Sequence, residues 1–187
     1  MGISASLHRY KDSYLVAALD SPDEVDEGQY FVGQKTILGL FPAPGQKVYA
    51  LYMVSSDSLA QLKEQGVASL REKWKTIAPD RGALFDSFEE WKQTAYMGTG
   101  RVRAQTWVID RAVVMGDAAH GMNPHASQGR MQAMVDAITL ADVLENCERS
   151  NNYSAAHLKP FEQARRAHVT MLQQLADEEV FFWNTGN

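Results

Sequence analysis

The chain has 187 residues, 45% of them apolar, and a net charge of −5, which suits one domain or one and a half with enough chain to bury a core. The acidic balance argues against a nucleic-acid partner, which calls for clustered Lys and Arg, and Arg101, Arg103, Arg111, Arg165 and Arg166 are scattered or paired and read as a solvated face. No apolar run reaches the about 20 residues of a membrane helix, Met1 to Arg9 lacks a signal-peptide core, and the single Cys147 excludes an internal disulfide, so a cytoplasmic home is expected.

In chain order, the first third reads as sheet. "SYLVAALDS" and "GQYFVGQ" are short and rich in strand formers. "KTILGLF-PAPG-QKVYALYMV" is a hairpin signal: two β-prone runs flank a Pro-Ala-Pro-Gly turn. Gly39 inside the first run marks a bulge or a close approach. Ser56 and Asp57 then open a helix over "SLAQLKEQ", which Gly66 interrupts before "VASLREKWKTIA". Pro79 to Gly82 is a turn, and "LFDSFEEW" a short helix. "KQTAYMGTGRVRAQTWVI" returns to extended structure, broken at Gly98 and Gly100, and "RAVVMGD" is a short buried strand ending at Gly116. From about Gln128 to Cys147 the chain is apolar nearly all round, which predicts a helix buried on most sides. Cys147, between Glu145 and Glu148, reads as a buried or idle thiol rather than a nucleophile. "NNYSAAH" ends that helix, and a last one runs from about Leu158 into "EEVFFWN".

The chemistry concentrates in "GDAAHGMNPHASQG", Gly116 to Gly129, between a strand and a long apolar helix. Ser127 and Gln128 sit where a helix leaves unpaired N–H groups, and those groups with the helix dipole favour an anionic or electron-rich ligand edge. Asp117, just past a strand end, is placed to accept hydrogen bonds from sugar-like hydroxyls, which suggests a polyhydroxylated cofactor. The same pattern also reads as plain local structure, with Asp117 capping a turn, Ser127 capping a helix, and Gly116 and Gly129 giving room. Pattern alone leaves both readings open. Asp117, His120 and His125 match no zinc spacing, and no metal is expected. Ser127, His120 and Asp117 lack the Gly-x-Ser-x-Gly elbow of a hydrolase triad. Tyr49, Tyr52 and Tyr96 fall on expected strands and are candidates to line an aromatic substrate site, with core packing as the plainer role. Trp107 and Trp183 are expected to be packing residues.

The segment "RAVVMGDAAHGMNPHASQGRMQAMVDAITLAD" resembles the second flavin-binding signature of the class A FAD-dependent aromatic hydroxylases, the family of p-hydroxybenzoate, salicylate and ubiquinone-pathway hydroxylases. The matching residues are Gly116, Asp117, Ala118, Ala119, His120, Pro124, Gln128, Gly129, Ala133, Asp136 and Ala137. A weaker likeness reaches back through the hairpin and forward into the last helix. The resemblance implies FAD as cofactor and NAD(P)H as co-substrate, with oxygen from O2 transferred to an aromatic or related small molecule. It implies that Asp117 binds the ribityl hydroxyls, and that Gly116, Pro124, Ser127, Gln128 and Gly129 lie along the ring system. Three positions depart from the family. Ser127 replaces the first Gly of Gly-Gln-Gly, Met131 stands where many members have an Asn that contacts the ring, and Val135 replaces a frequent Glu.

The family's opening Gly-x-Gly-x-x-Gly turn and its middle Asp-Gly motif are absent from this sequence. The chain therefore reads as the C-terminal half of such an enzyme, and "FFWNTGN" ends it with large apolar residues that call for more protein. The expected fold is α+β: a mostly antiparallel substrate-domain sheet with helices over 1–110, then over 111–187 the strand–loop–helix and C-terminal helix that complete a Rossmann-like FAD domain. The expected partners are a small-molecule substrate and either an N-terminal flavin-binding half or further copies of the chain. Two other functions fit the same residues: a flavin-free binding or scaffold protein, and a non-redox cyclase or isomerase reusing the substrate cavity.

Overall fold

The computed structural model describes residues 2–184, with side chains through residue 178. Its strands are β1 (Ala5–Arg9), β2 (Asp12–Asp20), β3 (Gln29–Gly33), β4 (Thr36–Ala43), β5 (Lys47–Ser55), β6 (Thr94–Met97), β7 (Gly100–Ala104), β8 (Val108–Ile109) and β9 (Ala112–Val113). Its helices are α1 (Leu59–Ile77), α2 (Gly82–Asp86), α3 (Asp117–His120), α4 (Gly129–Ser150) and α5 (Ala155–Asn184). Two compact units result: Tyr10–Thr99 forms one, and the described residues up to Arg9 join Gly100–Phe181 in the other. The division falls ahead of the 110/111 boundary expected from sequence, because β7 pairs antiparallel with β1, a strand that sequence alone does not announce.

The first unit is an antiparallel five-stranded sheet in the order β3-β4-β5-β2-β6. The two-residue side-chain period divides its residues between two faces. Leu15, Ala17 and Leu19 on β2, Leu38 and Leu40 on β4, and Val48 and Ala50 on β5 face the helices and are buried with Leu62, Leu70 and Trp74 of α1 and Phe85 of α2. Tyr14, Ile37 and Met53 form a smaller buried group on the opposite face. The β4–β5 hairpin expected from sequence is present, and the strands run in continuous register past Gly39. Gly39 therefore serves a close approach and not a bulge: a Cβ there would meet the Phe41 ring at 2.7 Å. Gly66 breaks α1 with φ 83° and ψ 169°, a conformation open essentially to glycine alone. The short helix expected over "LFDSFEEW" is only α2, followed by a 3-10 turn over Trp91–Gln93.

The second unit packs β1–β7 and β8–β9 with α3, α4 and α5 around Trp107, Phe161, Leu158, Val143 and Val169. Trp107 is a packing residue, as expected, whereas the side chain of Trp183 and the rest of "FFWNTGN" lie outside the described side chains. Two expectations are corrected here. The buried strand expected to run to Gly116 is the two-residue β9, with Val114 and Met115 outside any strand and only partly buried beyond it. Helix α4 is not buried on most sides: Met131, Met134 and Ile138 are 55%, 57% and 68% exposed and form an apolar stripe along it. Among the described residues no helix is long and apolar enough to cross a membrane.

Candidate functional site

The Gly116–Gly129 segment lies wholly within the second unit. Gly116 has φ 55°, and a Cβ on it would sit 3.2 Å from Ala133 Cβ of α4. Both the dihedral and the close approach call for glycine. The carbonyl of Gly116 accepts from the N–H groups of Ala119 and His120 at 3.0 and 2.8 Å, which winds α3 into a single turn. That turn presents Asp117 to solvent and directs His120 inward.

A buried polar cluster fixes this turn to α4. The Asp136 carboxylate, fully buried, accepts from the Gly116 N–H at 2.9 Å, from His120 Nε2 at 2.5 Å and from Arg165 Nε at 2.8 Å. Arg165 also donates to Gln132 Oε1 at 2.6 Å. Burial works to raise the Asp136 pKa, but the bonds from His120, Gly116 and Arg165 outweigh it and hold the carboxyl below its ordinary range. Beside the cluster, Trp107 stacks at 4.9 Å from His120 and lies under Arg166 at 5.1 Å. Glu162 accepts from the Trp107 N–H at 3.1 Å and pairs with Lys159 and Arg166. Arg165 and Arg166 therefore belong to these interactions, and Arg101 pairs with Asp177, which corrects the solvated-face reading.

Pro124 opens a 3-10 turn, Pro124–Ala126, whose His125 N–H is capped by Asn123 Oδ1 at 3.1 Å. Ser127 follows at φ 53°, the left-handed conformation that explains a glycine at this place in the related signature. The N-cap position of α4 falls on Gln128 and not on Ser127, and the Gln128 side chain makes no cap bond. Gln128 thus does not use the first N–H groups of this 22-residue helix, which lie at the Asp117 side of the helix end as potential donors. Gly129 keeps that end open: a Cβ there would lie 3.9 Å from Asp117 Oδ1 and 3.8 Å from Met122. Asn123 is fully buried, and its Nδ2 has no hydrogen-bond partner among the described residues. Met131 projects from the first turn of α4 at the head of the apolar stripe.

The structure thus brings Gly116, Asp117, Pro124, Ser127, Gln128, Gly129 and Met131 into one connected segment. It does not bring the three tyrosines together. Tyr49 pairs with Ala18 and lies on the Tyr14 face of the sheet, whereas Tyr52 and Tyr96 both pair with Leu15 on the face toward the helices. Tyr52 packs edge-on against Trp74 at 6.2 Å, and burial raises its phenol pKa despite a bond with Thr36. Tyr96 donates to Ser13 Oγ at 2.9 Å. His120 is committed to Asp136 and not to Asp117. Among the described residues no group of three or more His, Cys, Asp and Glu is placed to hold a metal ion. Sequence reasoning did not single out Gln132 or Asn123, and it read Arg165 as surface charge. Gln132 and Asp136, polar residues one turn apart in an apolar run, were the signal available for the cluster.

The FAD binding domain family matches residues 14–176 of this chain. The chain is 27% identical over 175 residues to protoasukamycin 4-monooxygenase of Streptomyces nodosus subsp. asukaensis, covering 88% of itself and 40% of that protein. It is 30% identical over 165 residues to 3-hydroxybenzoate 6-hydroxylase 1 of Aquipseudomonas alcaligenes, covering 85% of itself and again 40% of the relative. In structure it is similar to a probable FAD-dependent monooxygenase from Pseudomonas aeruginosa, with TM-score 0.82, 17% identity, and 96% of this chain and 50% of that chain covered. Klebsiella pneumoniae HpxO, solved with FAD and uric acid, matches with TM-score 0.76 at 21% identity over 98% of this chain and 47% of that one. The chain spans 40% of the length of these two curated relatives and about half of these solved chains.

Proposed function

The chain belongs to the FAD binding domain family, and from that premise we propose that it supplies the flavin-closing half of an FAD-dependent monooxygenase. The enzyme would hydroxylate an aromatic or related small molecule with NAD(P)H and O2. One observation carries this reading: the Gln128 side chain leaves the N-terminus of α4 uncapped, and the exposed Asp117 carboxylate stands beside its first residue. These groups fit the flavin's two chemistries. Asp117 accepts from polyol hydroxyls, while the α4 N–H groups and helix dipole face an electron-rich ring edge. Gly116, Pro124, Ser127, Gln128 and Gly129 would shape the backbone around the group, and Met131 would lie against it. The orphan Asn123 Nδ2 adds a buried donor at the same turn. When bound, FAD supplies the redox chemistry, taking hydride from NAD(P)H and activating O2. The protein's share is to bind, orient and keep water out.

Substrate contact is proposed for Tyr49 alone, exposed on the sheet face away from the helices, whereas Tyr96 lies on the opposite face bonded to Ser13 and Tyr52 packs against Trp74. The apolar stripe of α4 supports a protein partner, either a half bearing Gly-x-Gly-x-x-Gly or another copy of the chain. One solved relative, 2-methyl-3-hydroxypyridine-5-carboxylic acid oxygenase, has a tetrameric form. A cytoplasmic home is part of the proposal, in keeping with a single buried thiol.

The test is the near-visible absorbance of the purified chain, then titration with FAD, for wild type and Asp117→Ala. Saturable binding weakened tenfold or more by Asp117→Ala supports the reading. No binding at high micromolar FAD, alone or with a complementary half supplied, favours a flavin-free binding protein and ends the monooxygenase proposal.

A further inference from the structure

A second feature of the helical unit lies apart from the Gly116–Gly129 turn. The β8–β9 turn, the C-terminal half of α4 and the start of α5 line a cavity of about 300 Å³ that is open to solvent on one side. That is the lower end of the range of about 300–1,000 Å³ in which small organic ligands are held. Val113, Leu140, Leu144 and Leu158 give it an apolar interior, and Arg111 and Tyr153 stand at its polar side. Along α4, Leu140 and Leu144 lie roughly 16 and 22 Å from Gly129 at 1.5 Å per residue, so this is a different place from the flavin turn.

Arg111 is held rather than loose. Its backbone is left-handed at φ 59°, and its N–H donates to the Tyr153 carbonyl at 2.9 Å. Its guanidinium lies 5.9 Å from the centre of the Tyr153 ring. The acids nearby are committed elsewhere: Asp110 Oδ1 accepts from the Ala155 N–H at 2.8 Å, and Glu145 pairs with Arg149. Among the described residues no carboxylate pairs with Arg111. A positioned, uncompensated cation at the side of an apolar cavity selects a molecule with one anionic end and an apolar body. We propose that this cavity binds a small amphipathic monocarboxylate, its carboxylate on Arg111 and its apolar body among Val113, Leu140, Leu144 and Leu158.

Isothermal titration calorimetry of the purified chain tests this with sodium octanoate, sodium benzoate and the uncharged octanamide. One octanoate or benzoate per chain is expected, with octanoate at least tenfold tighter than octanamide. Which acid binds tighter tells an alkyl body from an aromatic one. Arg111→Gln should remove the preference for the charged compound. Leu144 is 39% exposed, so a charge there should leave the fold intact; Leu144→Glu should weaken octanoate tenfold or more, and Leu144→Lys should not. Equal affinity for octanoate and octanamide overturns the proposal, as does octanoate binding that survives Arg111→Gln unchanged. So does a stoichiometry above one, which marks the general apolar surface of α4. Absence of binding to millimolar octanoate in a cooperatively melting chain also overturns it, including the case where a second copy fills the cavity. FAD affinity, read in parallel, should be unchanged by Arg111→Gln, which separates this site from the flavin reading.

Discussion

The sheet unit and the helical unit are stabilised in different ways. In Tyr10–Thr99 the interior is apolar and aromatic, with Trp74 set between Tyr52, Phe85 and Phe88 at 5.0–6.2 Å. In the unit from Gly100 onward the central helix has a buried ionic cluster on one side and an exposed apolar stripe on the other. The sheet unit rests on a fully buried apolar interior, although Tyr30, Val32, Tyr49 and Tyr96 stay exposed on its surface. The other uses buried charge to fix a turn and leaves apolar surface for something else. The two units thus differ in what holds their interiors, and substitutions in each should report on that difference.

The largest effects come from the two interiors. Asp136→Ala leaves Arg165 and His120 buried without their acceptor, and breaking a buried ion pair from one side costs about 3–5 kcal/mol. Trp74→Ala opens a cavity worth about 3–5 kcal/mol in the other unit. The two should differ in rescue. Trp74→Phe should recover most of the loss, because the indole N–H of Trp74 is buried without a partner and its removal forfeits no bond. Asp136→Asn should recover little, since a neutral amide cannot balance Arg165. Urea melts of the four variants measure this, and equal rescue at both sites would break the contrast.

Acid should act first on the helical unit. Burial pushes the Glu162 carboxyl up, but the bonds from Lys159, the Trp107 N–H and Arg166 outweigh it and hold the pKa at about 2 against an ordinary 4.5. Asp136 is lowered as well. A carboxyl with a depressed folded pKa contributes stability that is present above the unfolded value and is lost as pH falls through the folded one. The helical unit should therefore weaken between about pH 4.5 and 2. Near-ultraviolet circular dichroism of Trp107 should fade in that window ahead of the Trp74 cluster, and Glu162→Gln should flatten the dependence. Simultaneous loss of both signals would contradict this account.

A smaller effect is expected where the chain meets its ligand. Asp117 is exposed, so Asp117→Ala should leave the melt within about 0.5 kcal/mol of wild type, yet lower FAD affinity at least tenfold, about 1.4 kcal/mol. Loss of stability without loss of affinity would return Asp117 to the role of a turn residue.

Much of this was legible in the sequence, for physical reasons. The β4–β5 hairpin follows from two β-prone runs and a proline-glycine turn, and the α1 break from a single Gly66. The Gly116–Gly129 turn was readable because its glycines, Pro124 and Asp117 are local choices. Long-range pairings were not: β1 depends on β7, about a hundred residues away, and Arg165 looked like surface charge until α5 brought it to Asp136. The three tyrosines show the same limit, because residues 49 and 52 differ by an odd number and a strand sends them to opposite faces. The all-round apolar pattern of α4 does express a demand for burial, and the described residues meet it only in part.

The smallest expected effect tests that last point. Ile138 is 68% exposed at the middle of the stripe, so Ile138→Lys should change the chain's own stability by no more than about 0.5 kcal/mol. A buried isoleucine cut back to alanine costs about 2–5 kcal/mol, so the two outcomes are easily told apart by urea melts. Sedimentation velocity supplies the second readout. If the stripe is a surface for another polypeptide, Ile138→Lys should reduce self-association, or association with a complementary flavin half, while the melt of the isolated chain stays in place. A large loss in the melt instead would mean that this chain already covers α4 in solution, and the contrast between the two units would fall with it.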